Sequence, residues 1–222
     1  MPRAGATLAS LPFAKKHLAG APKGDGRPVL LLPGFGNSDR SLFVLKRFLI
    51  HLGYRAESWQ LGRNFGTRTV GGEAEKLFFR IENMAEAAGE RVTLVGVSLG
   101  GMLARLAAHR LPGKVREVIT IASPYAADPR ATNVWRIYEL ISGQRLSSDA
   151  ARSRMSEIAR PLAVPATAIW SPSDGLVNGH ACYMPSEPGL RTIEIAGSHM
   201  GVQLRPRVMR AVADVLAGAN PF

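Results

Sequence analysis

Six short apolar runs recur along the chain, and the stretches between them carry apolar residues at helical spacing. The runs are residues 27–36 (RPVLLLPGFG), 54–61 (YRAESWQL), 91–97 (RVTLVGV), 115–123 (VREVITIAS), 166–171 (ATAIWS) and 190–197 (LRTIEIAG). Leu42, Leu45, Phe48, Leu49 and Leu52 form one helical stripe, and Leu77, Phe78, Ile81, Met84 and Ala88 form another. Residues 99–111 read as a third helix, and Val208, Met209, Val212 and Leu216 mark a last one over 205–217. A strand covered by helices on both faces is apolar throughout, and strands joined by crossover helices run parallel. The pattern therefore predicts an α/β fold: a single doubly wound, mainly parallel sheet of about six strands with helices on both faces.

The remaining features set bounds on that domain. The chain has 222 residues, enough for one sizeable core. No repeat, low-complexity tract or linker divides it. Residues 1–26 read as an N-terminal leader and 27–222 as the domain, with a small helical cap expected at 124–165, the longest gap between strands. Apolar residues make up 46% of the chain, which argues against global disorder. No apolar run approaches the ~18 to 20 residues of a membrane span. The patch LASLPFA is short and broken by Pro12, unlike a signal peptide, so a cytoplasmic protein is expected. Cys182 is the only cysteine, which rules out an internal disulfide and suggests no cysteine-based metal site. No cofactor or metal is expected.

The net charge of +11 comes mostly from scattered arginines such as Arg40, Arg47, Arg63, Arg68, Arg105 and Arg110. There is no basic block and no zinc-finger or RNA-binding pattern, so a nucleic-acid partner is not expected. Charge spread in this way reads as a solvated surface, with weak attraction to an anionic membrane surface as the second reading.

Gly96-Val97-Ser98-Leu99-Gly100 joins the third run to the third helix. A strand that feeds straight into a helix turns tightly and pushes the residue at its tip into strained backbone. The neighbours two positions to each side must then be small. The following helix also lends partial positive charge to an oxyanion formed nearby. A serine hydroxyl needs a base to react. Among the five histidines, His17, His51 and His109 look like surface or packing residues. His180, in VNGHACY, stays open. His199, in IAGSHMGV, follows the last strand and is the strongest candidate, because an open α/β sheet places ligands at the carboxyl ends of its strands. An acid must orient that base. Asp174, in SPSDGLV, directly follows a strand, and Asp128 is its rival. Asp149 and Asp214 read as a helix cap and a helix-surface residue. Oxyanion donors are expected at the Leu99 N–H and at the Phe35 N–H in the loop LLPGFGNSDRS. That loop lacks both phosphate-binding glycine signatures.

With LLPGFGNSD, VGVSLGGMLAR, SPSDGLV and GSHMGV in this order, the chain resembles the α/β-hydrolase superfamily, and within it the small bacterial lipases and esterases of minimal size. The resemblance covers about residues 28 to 217. It implies the α/β-hydrolase fold, a cofactor-free serine hydrolase mechanism and a carboxylic-ester substrate. It makes Ser98 the nucleophile, Asp174 the acid and His199 the base, with Phe35 and Leu99 as oxyanion donors. Many relatives have His-Gly where this chain has Pro33-Gly34, and that histidine lies outside the triad.

Substrate choice is less legible. Val134, Trp135, Tyr138 and Ile141 fall on one helical stripe, which would cover an acyl pocket or simply pack on the sheet. Trp135 and Tyr138 are the candidate substrate-binding residues, for a small-molecule or lipid ester. An acyltransferase, an amide or thioester hydrolase, and a non-catalytic binding module on the same fold are the alternatives.

Overall fold

Alternate residues of the central strands face opposite ways, and each face recruits its own helices. The computed structural model describes residues 18–126 and 149–219. Within them the strands are β1 (Pro28–Leu32), β2 (Arg55–Ser58), β3 (Val92–Val97), β4 (Val115–Ile121), β5 (Ala166–Trp170) and β6 (Leu190–Glu194). They form one six-stranded sheet in the order β2-β1-β3-β4-β5-β6, and every pairing is parallel. The helices are α1 (Phe43–Leu52), α2 (Thr67–Val70), α3 (Glu75–Ala88), α4 (Leu99–Arg110), α5 (Asp149–Ala159) and α6 (Pro206–Leu216). The doubly wound parallel sheet expected from the sequence is thus present.

Val29, Leu31, Val95, Val97, Ile119 and Ile121 point to one face, where Leu45 and Leu49 of α1 and Val208, Val212 and Leu216 of α6 bury them. Leu30, Leu32, Leu94 and Val118 point to the other, against Leu77 and Ile81 of α3, Leu103 and Leu106 of α4 and Ile158 of α5. Each such buried aliphatic side chain contributes about 1.5 to 3 kcal/mol. Pro206 opens α6 at a position where its missing N–H costs nothing.

One expectation needs correction at the strands and two at the helices. β2 and β6 are not apolar throughout, since Arg55, Thr192 and Glu194 are exposed. These are the outermost strands, and charge on an edge discourages pairing with another sheet. Arg105, grouped above with the solvated arginines, is only 1% exposed. Its guanidinium donates to the Ile158 and Arg160 carbonyls (2.8 and 2.7 Å) and to Glu187 (3.1 Å), and it stacks on the Tyr125 ring at 3.7 Å. Asp214 is likewise buried rather than on the surface, where Arg210 donates to it at 2.8 Å.

At the ends of the expected domain, residues 18–26 lie against it. Leu18 and Ala21 pack on the α1–α6 core, and the Gly24 N–H bonds to the Leu52 carbonyl at 2.7 Å. Of the stretch 124–165, helix α5 packs against α4 through the Arg105 bonds to its end; most of the rest lies outside the described residues. No helix among the described residues is long and apolar enough to cross a membrane.

The strand order positions the site. From β1 the chain moves outward to β2, then returns across β1 to β3 on its other side. The connections after β1 and β3 therefore leave in opposite directions, and the carboxyl end of the sheet at such a switch point is where this architecture places ligands.

Candidate active site

Steric closeness shapes the turn after β3. A Cβ on Gly96 would fall 2.4 Å from the Gly100 carbonyl carbon, and one on Gly100 would fall 2.3 Å from the Leu32 carbonyl oxygen. Both obstacles are backbone, so neither can step aside, and only glycine fits. Between them Ser98 adopts φ 52° and ψ −120°, a conformation that costs a non-glycine residue about 1 to 3 kcal/mol. Ser98 is 8% exposed, and it is the residue that immediately precedes α4.

The loop after β1 comes up beside this turn. A Cβ on Gly34 would lie 3.4 Å from the Ser98 Cβ and 3.3 Å from the Val97 carbonyl oxygen. Residues 34–37 close a turn through the Asn37 N–H, which donates to the Gly34 carbonyl at 3.1 Å. Gly36, third in the turn, has φ 67°, as a type II turn requires. Among the described residues, the N–H groups of Phe35 and Leu99 have no hydrogen-bond acceptor.

The expected acid and base are in direct contact. Asp174 follows β5 and His199 follows β6, and these strands are neighbours. His199 Nδ1 donates to Asp174 Oδ2 at 2.9 Å, and the His199 N–H donates to the Asp174 carbonyl, also at 2.9 Å. A carboxylate only accepts, so this bond puts the ring proton on Nδ1 and leaves Nε2 as the basic nitrogen. The other carboxylate oxygen accepts the N–H groups of Leu176 and Val177, at 3.1 and 2.7 Å. Asp174 is buried, and His199 is half-buried.

Two contact pairs therefore stand at one end of the sheet: Ser98 with the Phe35 loop, and Asp174 with His199. No hydrogen bond joins Ser98 to His199 in this structure.

The other candidates separate cleanly. His180 is exposed and its Nδ1 lies 3.1 Å from the Tyr183 hydroxyl. His51 is exposed and His109 half-buried; burial lowers the pKa of His109, with the Arg105 charge adding to the effect. Cys182 is buried beside Trp170 and Val177, and burial pushes its thiol up to about 12. Asp149 begins α5. His17, Asp128, Trp135 and Tyr138 lie outside the described residues.

Sequence reasoning passed over two buried polar residues. Ser171 donates to the Gly197 carbonyl at 2.7 Å and accepts its N–H at 2.8 Å, which ties the Asp174 loop to the His199 loop. Its place in SPSDG, three residues before Asp174, was the available signal. Asn64 contacts the Phe35 loop, and nothing in its unpatterned surroundings pointed to it.

A family model described as "alpha/beta hydrolase fold" matches residues 32–142. No curated protein matches the chain in sequence. Among solved structures, a monoacylglycerol lipase from Paleococcus ferrophilus is similar at 16% identity and TM-score 0.61, over 87% of this chain and 96% of that one. A structure described under the metagenome-derived lipolytic enzymes LipS and LipT is similar at 15% identity and TM-score 0.66, over 90% and 98% of the two chains. The NocB thioesterase domain, solved as a covalent fluorophosphonate complex, is similar at 18% identity and TM-score 0.56, over 88% and 95%. At such identities the likeness is one of fold.

Proposed function

This chain belongs to the α/β-hydrolase family, and on that premise we propose that it is a serine hydrolase that cleaves carboxylic esters through Ser98, His199 and Asp174. One observation carries the reading. A serine in strained backbone between a strand and a helix shares the carboxyl end of the sheet with a histidine whose Nδ1 is bonded to a buried aspartate.

In the proposed reaction, Ser98 Oγ attacks the ester carbonyl while His199 Nε2 takes its proton. Asp174 keeps the ring in the right tautomer and stabilises the imidazolium. The Phe35 and Leu99 N–H groups hold the oxyanion, and the amino end of α4 adds partial positive charge. His199 then protonates the departing alcohol, leaving an acyl group on Ser98. Water repeats the sequence and frees the acid. Trp135 and Tyr138 are proposed to line the acyl site as part of a small cap, for a small-molecule or lipid ester.

The test is a series of p-nitrophenyl esters from acetate to palmitate. Wild type should turn them over with a preference in chain length that reports the acyl pocket, and Ser98→Ala should not. Thioester and amide substrates, and product analysis with added alcohol, separate ester hydrolysis from other acyl transfers on the same triad. No turnover of any acyl donor by folded wild type would favour a binding module.

A further inference from the structure

The loop proposed to supply the Phe35 oxyanion donor is short and glycine-rich, and its internal bonds both come from Asn37, whose N–H donates to the Gly34 carbonyl at 3.1 Å and whose Nδ2 donates to the Phe35 carbonyl at 3.3 Å. What holds it comes from residues 63–66, just after β2. Asn64 is 0% exposed, and all of its polar groups are engaged. Its Nδ2 donates to the Pro33 carbonyl at 2.7 Å. Its carbonyl accepts the Gly36 N–H at 2.8 Å, and its N–H donates to the Asn37 carbonyl at 2.8 Å. Its Oδ1 accepts the Gly66 N–H at 3.0 Å, which fixes the carboxamide plane. Around it, Arg63 donates to the Gly36 carbonyl at 2.9 Å, and the Phe35 and Phe65 rings meet edge to face at 6.0 Å.

The pattern is selective. Asn64 and the turn itself take up the Pro33 carbonyl, the Gly36 N–H and the Asn37 N–H and carbonyl, but leave the Phe35 N–H free. The Pro33 carbonyl held by the carboxamide is also the group that a Cβ on Gly100 would meet at 2.7 Å. The clamp therefore fixes the loop at the point where it touches the Ser98 turn. A buried carboxamide bonded through both its nitrogen and its oxygen is a rigid support, and loss of the Nδ2 bond leaves the buried Pro33 carbonyl without that donor.

We infer that Asn64 is the positioning residue of the oxyanion loop, holding the residue 33–37 turn so that the Phe35 N–H stays free beside Ser98. The inference rests on the serine hydrolase reading above. Asn64 touches no reacting atom and acts through the backbone of Phe35.

The experiment compares wild type, Asn64→Ala, Asn64→Ser and Arg63→Ala by turnover of one p-nitrophenyl ester. Turnover is expressed per active site, with sites counted by saturating fluorophosphonate and intact mass. Loss of folded protein lowers the number of sites, whereas misplacement of the donor lowers kcat per site. Displacing an oxyanion donor costs about 10- to 100-fold in rate. Asn64→Ala should lose that much kcat per site with KM within about twofold, and Arg63→Ala, at the exposed end of the clamp, should lose severalfold. Unchanged kcat per site in Asn64→Ala overturns the inference. If Asn64→Ala does not fold, unchanged kcat per site in Asn64→Ser and Arg63→Ala overturns it equally. Wild type that gains no phosphonyl group would instead refute the serine hydrolase reading itself.

Discussion

The two halves of the candidate site are built by different forces. At the Ser98 turn, backbone meets backbone with no room for a Cβ at Gly96 or Gly100. At the Asp174–His199 end, geometry is set by side-chain hydrogen bonds between two loops, with Ser171 bridging them. The first half is fixed by exclusion and the second by attraction. Substitutions in the first should damage the fold. Those in the second should leave the fold standing and damage the chemistry.

The largest expected effect falls on the bonded half. Asp174→Asn keeps the shape but presents an amide to His199 Nδ1, which favours the wrong tautomer; kcat should fall about 10⁴-fold. Steady-state kinetics alongside circular dichroism would read both, and a comparable loss of structure would erase the contrast between the halves.

Gly100→Ala tests the packed half from the other side. Its Cβ would meet the Leu32 and Pro33 carbonyls, and overpacking against backbone should destabilise by about 3 kcal/mol. Chemical denaturation measures this, and a stable, active variant would show that the turn can give.

Ser171→Ala removes the bridge and leaves the Gly197 carbonyl unpaired, at a cost of about 1 to 3 kcal/mol, while the Gly197 N–H keeps its second acceptor, Ser173 Oγ at 3.1 Å. Because the bridge also sets the distance between the two loops, kcat should drop while the Ser98 turn keeps its phosphonylation stoichiometry. Thermal melts paired with the ester assay would show whether the two losses occur together.

The smallest effect carries the opposite sign. Ser98→Gly abolishes the nucleophile but relieves the strain at φ 52°. Set against the entropy glycine loses on folding, the net gain is about 1 kcal/mol, or a Tm rise of roughly 2 to 4 °C in a chain of this size. A fall in Tm would mean that the strained backbone is not a cost.

The same contrast explains what could be read from the sequence. All six strands and the main helical stripes were visible, because burial on both faces of a parallel sheet writes itself as local apolar runs. Gly96 and Gly100 were visible for a related reason: exclusion demands one residue type at fixed spacing. Arg105 was misread, because its hydrogen-bond partners lie more than fifty residues away, at the end of α5 and on the Glu187 loop. Asp214 was misread because its helix is buried around most of its circumference. Asn64 and Ser171 stayed hidden since a buried hydrogen-bonding side chain leaves no periodic trace. The edge strands were predicted as apolar, yet their place at the ends of the sheet is a property of topology that a local run does not carry.

Intact mass after incubation with a fluorophosphonate shows whether Ser98 is an activated nucleophile. Wild type should gain one phosphonyl group, mapped to Ser98, and Ser98→Ala should gain none. Folded wild type that stays unmodified, with and without detergent, would mean that Ser98 is not activated.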